Sequence, residues 1–333
     1  MRSAARWIDI GLVAPATFHA TYAGLADHQV ANAAPILLWG RTTEHICLGQ
    51  HQNLMAELAQ PLEVPVLQRP LGGGTVWVDE FQYCFVLIVP LELLPGRPQE
   101  WFEWGLAPML ATYRRFGMEV ELHAQDVWLD GRKIGGSGAA TIGNCAVLAS
   151  SFLMHFPIAH FVQCIACPTE GFRNWMAEAL SVAMTDWQSH QSVPDESVLV
   201  KVFWDSLQAG LKWDFIQSAL SADEVLARDA VLPELAELDA SNGKRLVPDG
   251  IKLNARTFLT EKHDGTNWVR VLTVDGKFSR IMLSRVLSAE QLEKLVLSSP
   301  TIEALQAELI LMMPLGEAEY WAALIMNTAF ISA

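Results

Sequence analysis

The chain has 333 residues, of which 51% are hydrophobic and 18% are charged, an ordinary globular composition with length enough for two domains. Its formal net charge of −14 argues against a nucleic-acid partner, because such partners require a basic footprint. The five cysteines are odd in number and widely spread, which excludes a secreted disulfide framework.

The N-terminal residues predict a first strand rather than a signal peptide, because Asp9 interrupts their apolar run. The longest apolar run in the chain, CFVLIVPLELLP, contains Pro90 and is too short to span a bilayer. We therefore expect a soluble cytoplasmic protein with no membrane partner.

Alternating helix and strand patterns follow in chain order. Strands are predicted on both sides of a glycine triplet and at 35–40, 45–49 and three places between 119 and 156. Helices are predicted at 20–34, 99–117, 171–187 and around 206–240. The dipeptide Asp130-Gly131 is a strong hairpin signal.

The composition changes near residue 240, where the segment ASNGKRLVPDG is typical of a linker. Strand-like segments and two amphipathic helices come after it, and Ser288 with Gln291 forms a capping-box pattern. These features predict a first domain over 1–240 and a small accessory domain over 241–333.

The glycine triplet lies in QRPLGGGTVWVD, residues 68–79. Glycine serves where the chain needs positive φ or where a ligand touches the main chain, so a hairpin turn and an anion-binding loop are both open. Neither G-x-G-x-x-G before a helix nor G-x-x-x-x-G-K-[ST] is present.

A second glycine-rich segment, DVWLDGRKIGGSGAA at 126–140, carries Lys133 directly after the predicted hairpin. A cation beside such a segment suits a phosphate, a carboxylate or a polarised carbonyl. The plain alternative is a solvated lysine at a strand end.

Together, the two segments resemble the lipoate–protein ligase and octanoyltransferase family, within the biotin/lipoate protein ligase superfamily. That family has R-R-x-x-G-G-G-x-V-x-x-D followed by D-h-x-x-x-g-K-h-x-G-x-a, where h is apolar. The matching positions here are Arg69, Gly72, Gly73, Gly74, Val76 and Asp79, then Asp126, Gly131, Lys133, Ile134, Gly136 and Ala139. Gln68 departs from the pattern, since many relatives carry a second arginine there.

The resemblance implies an α/β (α+β) fold: a mixed-sheet catalytic domain like that of the biotin/lipoate ligases, with a small C-terminal α+β domain. It implies that Lys133 is catalytic. The substrate- and nucleotide-binding residues that it implies are Arg69, Gly72, Gly73, Gly74, Thr75, Val76, Asp79, Asp126, Ile134, Gly135, Gly136, Ser137, Gly138 and Ala139.

The resemblance also implies two reaction routes. A ligase uses ATP and Mg²⁺ to activate lipoate or octanoate as acyl-AMP, and then acylates a lysine of a lipoyl-domain protein. An ATP-independent transferase takes an acyl group from acyl carrier protein onto a cysteine, for which Cys167 is the candidate. The extra C-terminal segment favours the ligase. A third alternative is a lipoyl- or acyl-carrier-binding protein without turnover.

Overall fold

A mixed eight-stranded sheet forms the centre of the protein. The computed structural model describes residues 3–236 and 244–331. In order across the sheet, the strands are β11 (Trp213–Ser218), β1 (Ser3–Val13), β2 (Ile36–Thr42), β6 (Gln82–Pro90), β10 (Cys145–Leu153), β9 (Arg132–Ile142), β8 (Asp126–Leu129) and β7 (Glu121–His123). Strand β1 runs parallel to both of its neighbours, and the other pairs are antiparallel. The expectation of a mixed sheet is confirmed.

Helices cover both faces of this sheet. Helices α3 (Pro98–Arg115) and α6 (Glu196–Leu211) pack on one face, and α1 (Pro15–His28) and α7 (Ala222–Ala236) pack on the other. Helices α2 (Leu54–Glu57), α4 (Ile158–Cys164) and α5 (Glu170–Ala183) contribute to a separate core. Successive residues of a strand point to opposite faces. Accordingly, Leu37 of β2 packs in the core that contains α3 and α6, whereas Leu38 packs in the core that contains α1.

A smaller three-stranded sheet carries the glycine triplet. Its order is β4 (Val66–Gln68), β3 (His45–Leu48) and β5 (Val76–Val78), with β3 parallel to β4 and antiparallel to β5. The loop 69–75 therefore joins the two outer strands of this sheet across the end of β3.

The C-terminal region is an α+β structure with its own core. Its antiparallel sheet contains β12 (Gly250–Lys252), β13 (Thr257–Asp264), β14 (Asn267–Val274) and β15 (Lys277–Leu283). The helices are α8 (Ala289–Leu297), α9 (Ile302–Ile310) and α10 (Leu315–Thr328). Ile251, Leu253 and Leu259 pack instead with residues of α4 and α5, so this region is attached to the preceding part through apolar contacts.

Several local predictions are confirmed. Asp130 and Gly131 have φ of +50° and +73°, the conformation of a two-residue hairpin turn between β8 and β9. Ser288 and Gln291 form both hydrogen bonds of the capping box at α8. No helix among residues 3–236 and 244–331 is long and apolar enough to cross a membrane.

Two elements differ from the sequence-based expectation. The helix expected around 206–240 is divided, because α6 ends at Leu211 and Lys212 takes a left-handed φ of +59° before strand β11. Helix α10 was not expected at all. The predicted linker over 240–250 falls partly on residues 237–243, which lie outside the described residues.

Candidate active site

Lys133 forms an ion pair at the start of β9. Its Nζ lies 2.8 Å from Oδ1 of Asp126 on β8, and the two side chains are 17% and 8% exposed. A mostly buried charge is tolerated when it has a close counter-charge, since desolvation of an isolated ion costs several kcal/mol or more. The hairpin thus delivers Lys133 as a fixed cation rather than as a solvated lysine.

A β-bulge decides which face of β9 carries this cation. Lys133 pairs with Trp128 and Gly135 pairs with Val127, so Ile134 is one extra residue in β9. The extra residue reverses the alternation of side chains along the strand. Lys133 therefore shares a face with the residue after Gly135.

Two glycines of β9 place the lysine and the glycine loop over that one face. A Cβ at Gly136 would lie 2.9 Å from Nζ of Lys133, and a Cβ at Gly138 would lie 3.5 Å from the carbonyl oxygen of Gly72. Residues two apart in a strand point the same way. The two sequence segments, about fifty residues apart, meet there.

The glycine loop is held from beneath by Arg69. Nη2 of Arg69 donates to the carbonyl oxygens of Gly72 and Gly74, at 2.9 and 2.8 Å. Gly73 has a φ of +99°, and its carbonyl oxygen would lie 2.1 Å from a Cβ at Gly49. Arg69 was expected to bind substrate or nucleotide. In the structure, these N–H groups bind carbonyl oxygens of the loop instead.

The residues that follow the triplet hold the loop's other end. Nε2 of Gln52 donates to Oγ1 of Thr75 at 3.0 Å. The carboxylate of Asp79 is buried and accepts from the indole of Trp77 and the backbone N–H of Phe81. Burial raises the pKa of Asp79. Thr75 and Asp79 therefore stabilise the backbone on either side of β5. Val76 of that strand is 37% exposed.

An open cavity of about 380 Å³ adjoins the loop and β9. It lies beyond Asp126, the first residue of β8, so the part of β9 that follows Gly136 has no neighbour from that strand. Its lining includes Gly72, Gly73, Trp101, Gln125, Gly138 and Ala139. A larger cavity of about 730 Å³ shares Phe102 and Gln125 with it and extends along α3 to Arg114. This groove is the place for a ligand beside both motifs.

The remaining predicted positions of β9 have different surroundings. Ile134 is fully buried in the core, and a Cβ at Gly135 would lie 3.0 Å from Met109 of α3. The hydroxyl of Ser137 donates to the carbonyl oxygen of Gln125. Ile134 and Gly135 therefore support the strand from behind.

The C-terminal region reaches the lysine pair directly. The second carboxylate oxygen of Asp126 accepts a hydrogen bond from the backbone N–H of Ala255, at 3.0 Å. The guanidinium of Arg256 lies 5.4 Å from the ring centre of Trp128 on β8. This contact could not be found from the sequence, because nothing in the local pattern around Ala255 signals a partner 129 residues earlier.

Cys167 lies elsewhere, among partly buried residues packed against α4, α5 and the C-terminal region. Burial raises the pKa of its thiol, and the nearby guanidinium groups of Arg173 and Arg245 oppose that effect. The thiol is therefore less ionised at neutral pH than a free cysteine, and the thiolate is the nucleophilic form. Neither Cys167 nor Lys133 lines the two cavities beside the loop and α3, but Lys133 reaches the face of β9 that carries Gly136, two residues from the cavity-lining Gly138.

The sequence matches the family model of the lipoyl protein ligase A/B catalytic domain over residues 18–198, more than half of the chain. The chain therefore belongs to this family. Among curated protein sequences no significant match was found.

Solved structures show the same fold. One is the bipartite lipoate–protein ligase of Thermoplasma acidophilum, studied with its E2 lipoyl domain; the match has 16% identity, a TM-score of 0.66, and covers 74% of this chain and 100% of that one. Lipoate-protein ligase A bound with ATP matches at 14% identity and a TM-score of 0.60, over 69% and 95% of the two chains. LipL1 of P. falciparum, in complex with lipoate, matches at 13% identity and 0.57, over 95% and 98%.

Proposed function

We propose that this protein is an ATP-dependent lipoate–protein ligase. It activates lipoate, or octanoate, as the acyl-adenylate and transfers the acyl group to a lysine of a lipoyl-domain protein. The observation that carries the proposal is the meeting of Lys133 and the glycine loop over one face of β9, beside an open cavity. Family membership supports it, as do structural relatives that hold ATP or lipoate.

In the first step, a carboxylate oxygen of the acid attacks the α-phosphorus of ATP. A new O–P bond forms, the bond to the β-phosphate bridge breaks, and pyrophosphate leaves. In the second step, the amine of the acceptor lysine attacks the acyl carbon and AMP leaves with the electrons of the anhydride bond. Lys133 is the cation that offsets the negative charge developing on phosphate or carbonyl oxygens.

Mg²⁺ fits this reaction as a companion of the triphosphate rather than as an ion held by the motif carboxylates. Both oxygens of Asp126 already accept hydrogen bonds or pair with Lys133, and both oxygens of Asp79 accept N–H groups. Mg²⁺ commonly keeps several waters and binds through substrate phosphates. We therefore assign no protein ligand to it.

The test is lipoate-dependent exchange of labelled pyrophosphate into ATP, repeated with octanoate. It reads the first step alone and needs no acceptor protein. Exchange that depends on the acid establishes adenylation. If folded protein with Mg²⁺ gives no exchange with either acid, the ligase proposal fails. If lipoate still binds to that protein, the result favours the binding-protein alternative.

Lys133→Ala should reduce the exchange rate by at least about 100-fold, the typical effect of removing one preorganised charge-stabilising group. The melting temperature should fall as well, because the buried Asp126 loses its counter-charge, so exchange is measured at a temperature at which the variant is folded. Lys201→Ala is the matched control, because that lysine is 76% exposed on α6. Equal activity of both variants would contradict the role given to Lys133.

The thioester route remains the alternative and has its own test. Octanoyl carrier protein would acylate the Cys167 thiol, with release of the carrier's thiol, before transfer to the acceptor lysine. We expect Cys167→Ser to keep wild-type exchange and transfer, because the thiol is partly buried with a raised pKa. An octanoyl adduct on Cys167, seen by mass spectrometry, together with loss of transfer in Cys167→Ser, would establish that route instead.

A further inference from the structure

Two histidines and a cysteine meet in the protein interior between α1 and β3. His19 belongs to α1, His45 and Cys47 belong to β3, and all three side chains are buried. One ligand atom of each lies within 4.8 Å of those of the other two. The proposed ligase reaction uses none of the three.

The ring of His45 has one nitrogen that is paired and one that is not. Its Nδ1 lies 3.0 Å from the carbonyl oxygen of Thr43, which can only accept, so the proton is on Nδ1. Its Nε2 is buried and has no hydrogen-bond partner among the described residues. A neutral imidazole with an unpaired nitrogen is the form that binds a metal ion.

His19 has one ring nitrogen beside Tyr22 and the other beside Cys47. Nδ1 of His19 lies 3.0 Å from the hydroxyl of Tyr22, and its Nε2 lies 3.7 Å from Sγ of Cys47. With the proton on Nδ1, Nε2 faces the sulfur with its lone pair. A metal-binding histidine commonly donates its other ring N–H to a fixed partner, which sets the tautomer and the ring orientation.

The spacing of these atoms is close to that of a metal centre. With a metal–sulfur bond of about 2.3 Å and a metal–nitrogen bond of about 2.0 Å, tetrahedral geometry separates sulfur from nitrogen by about 3.5 Å. The observed separation between Cys47 and His19 is 3.7 Å. Since no ligand-atom pair exceeds 4.8 Å, a shift of at most about 1.5 Å brings the remaining atoms to the separations of a tetrahedral site.

The positive charge of Arg69 affects which metal ions can bind to the cluster. Burial raises the pKa of the Cys47 thiol, and the guanidinium of Arg69, whose Nη1 lies 3.7 Å from Sγ, opposes that effect. The same guanidinium opposes excess positive charge. Thiolate and imidazole together prefer soft or borderline ions such as Cu⁺ and Zn²⁺. A single thiolate cancels the charge of Cu⁺ fully and that of Zn²⁺ by half, so Cu⁺ should bind more tightly.

We propose that His19, His45 and Cys47 bind one thiophilic metal cation through the two Nε2 atoms and the thiolate. Cys47 releases its thiol proton to solvent as the metal–sulfur bond forms. The site is independent of the ligase reaction. It is linked to the glycine loop, however, because Arg69 donates to Cys47 and also to the carbonyl oxygens of Gly72 and Gly74. Metal binding should therefore also stabilise the loop.

The experiment measures binding of Zn²⁺ and, anaerobically, Cu⁺ to the purified full chain by competition with chromophoric chelators. Co²⁺ then serves as a probe, since its charge-transfer absorption reports a bond to a thiolate. Because the site is buried, each ion is also supplied during refolding from denaturant. We expect one equivalent of Cu⁺ or Zn²⁺ per chain, a thiolate–cobalt band, and a melting temperature that rises with metal.

Three variants identify the ligands. Cys47→Ser should lose the cobalt band, and Tyr22→Phe should weaken binding about 10- to 100-fold, because the partner that orients His19 is gone. Cys145→Ser is the matched control, a buried cysteine of β10 outside the cluster, and should bind as the wild type does.

Absence of stoichiometric binding by the wild type, both natively and after refolding with metal, would overturn the proposal. Binding that Cys47→Ser retains with an unchanged cobalt band would overturn it as well. Exchange activity in the metal-free protein has no bearing on either result, so this test and that of the ligase reaction fail separately.

Discussion

The two glycine-rich segments look alike in sequence but use glycine for different reasons. At the loop, backbone packs against backbone at one point, where the carbonyl oxygen of Gly73 lies against Gly49, and Gly73 also has a positive φ; the Cβ positions of Gly72 and Gly74 are open. In β9 the chain is an extended strand, and Gly136 leaves space for the end of the Lys133 side chain. In the first segment, glycine is required by the backbone conformation and packing. In the second, it leaves space for a functional side chain.

This difference separates effects on stability from effects on chemistry. A Cβ that meets backbone can be accommodated only if the fold shifts, which costs free energy of unfolding. A Cβ that meets the end of a long side chain displaces that side chain at small cost to the fold. Alanine substitutions at single glycines can therefore tell the two uses apart.

Gly136→Ala should have the largest effect, and it should fall on catalysis. The new methyl group would lie 2.9 Å from Nζ of Lys133 and would displace it from Asp126. We expect exchange to fall by about 100-fold, some 3 kcal/mol of transition-state stabilisation. The melting temperature should fall by less than that of Lys133→Ala, because the ammonium group beside the buried Asp126 is displaced and not removed. Gly135→Ala is the control, since its methyl group faces Met109 on the other side of β9.

If Gly135→Ala and Gly136→Ala lost the same activity at the same stability, the bulge would not separate the two faces of β9. The measurement is exchange kinetics on both variants, with thermal unfolding followed by circular dichroism.

Gly49→Ala should be the most destabilising substitution at the loop. Its Cβ would lie 2.1 Å from the carbonyl oxygen of Gly73, and backbone must move to relieve the contact. Overpacking of this kind costs about 1–3 kcal/mol of the free energy of unfolding. Urea unfolding measures it. An unchanged midpoint would mean that the loop does not pack against Gly49 in solution.

Gly73→Ala should cost less, at the lower end of about 1–3 kcal/mol, because a side chain at a φ of +99° is strained. The methyl group would also approach Nη2 of Arg69 at 2.9 Å, and that side chain can adjust. The comparison is the urea midpoint against Gly49→Ala. A larger loss for Gly73→Ala than for Gly49→Ala would show that backbone strain, rather than close packing, dominates at the loop.

Gly74→Ala should have the smallest effect. No atom lies within 4 Å of its Cβ position, and its φ is not in the left-handed region. Surface substitutions of this kind usually change the free energy of unfolding by no more than about 0.5 kcal/mol. Gly74 is thus the control for its neighbour Gly73, and a loss above about 1 kcal/mol would show that the triplet acts as a unit.

Much of the fold could be predicted from local patterns. The hairpin at Asp130-Gly131 and the capping box at Ser288 depend on residues close together in sequence, so short-range chemistry specifies them. Strand β11 could not be identified in this way, because six residues between two helices give too short a pattern. Its pairing with β1, more than 200 residues earlier, is a tertiary effect.

The candidate site divides in the same way. The motif match selected Lys133 and the glycines, and the structure brings these together. It also assigns Asp79 to a turn, Ile134 to the core and Arg69 to the support of the loop. A motif records that a residue type is required, and it does not say whether the requirement comes from a ligand or from packing.

The sequence by itself determined the family, the cationic residue Lys133 and the two glycine segments, because each depends on residues that are close together in the chain. Only the tertiary structure decided which face of β9 carries Lys133, that Asp126 also binds Ala255, and that His19 meets Cys47. Those outcomes depend on one bulged residue and on contacts between distant segments. Such contacts are set by the packing of whole elements, which no local pattern encodes.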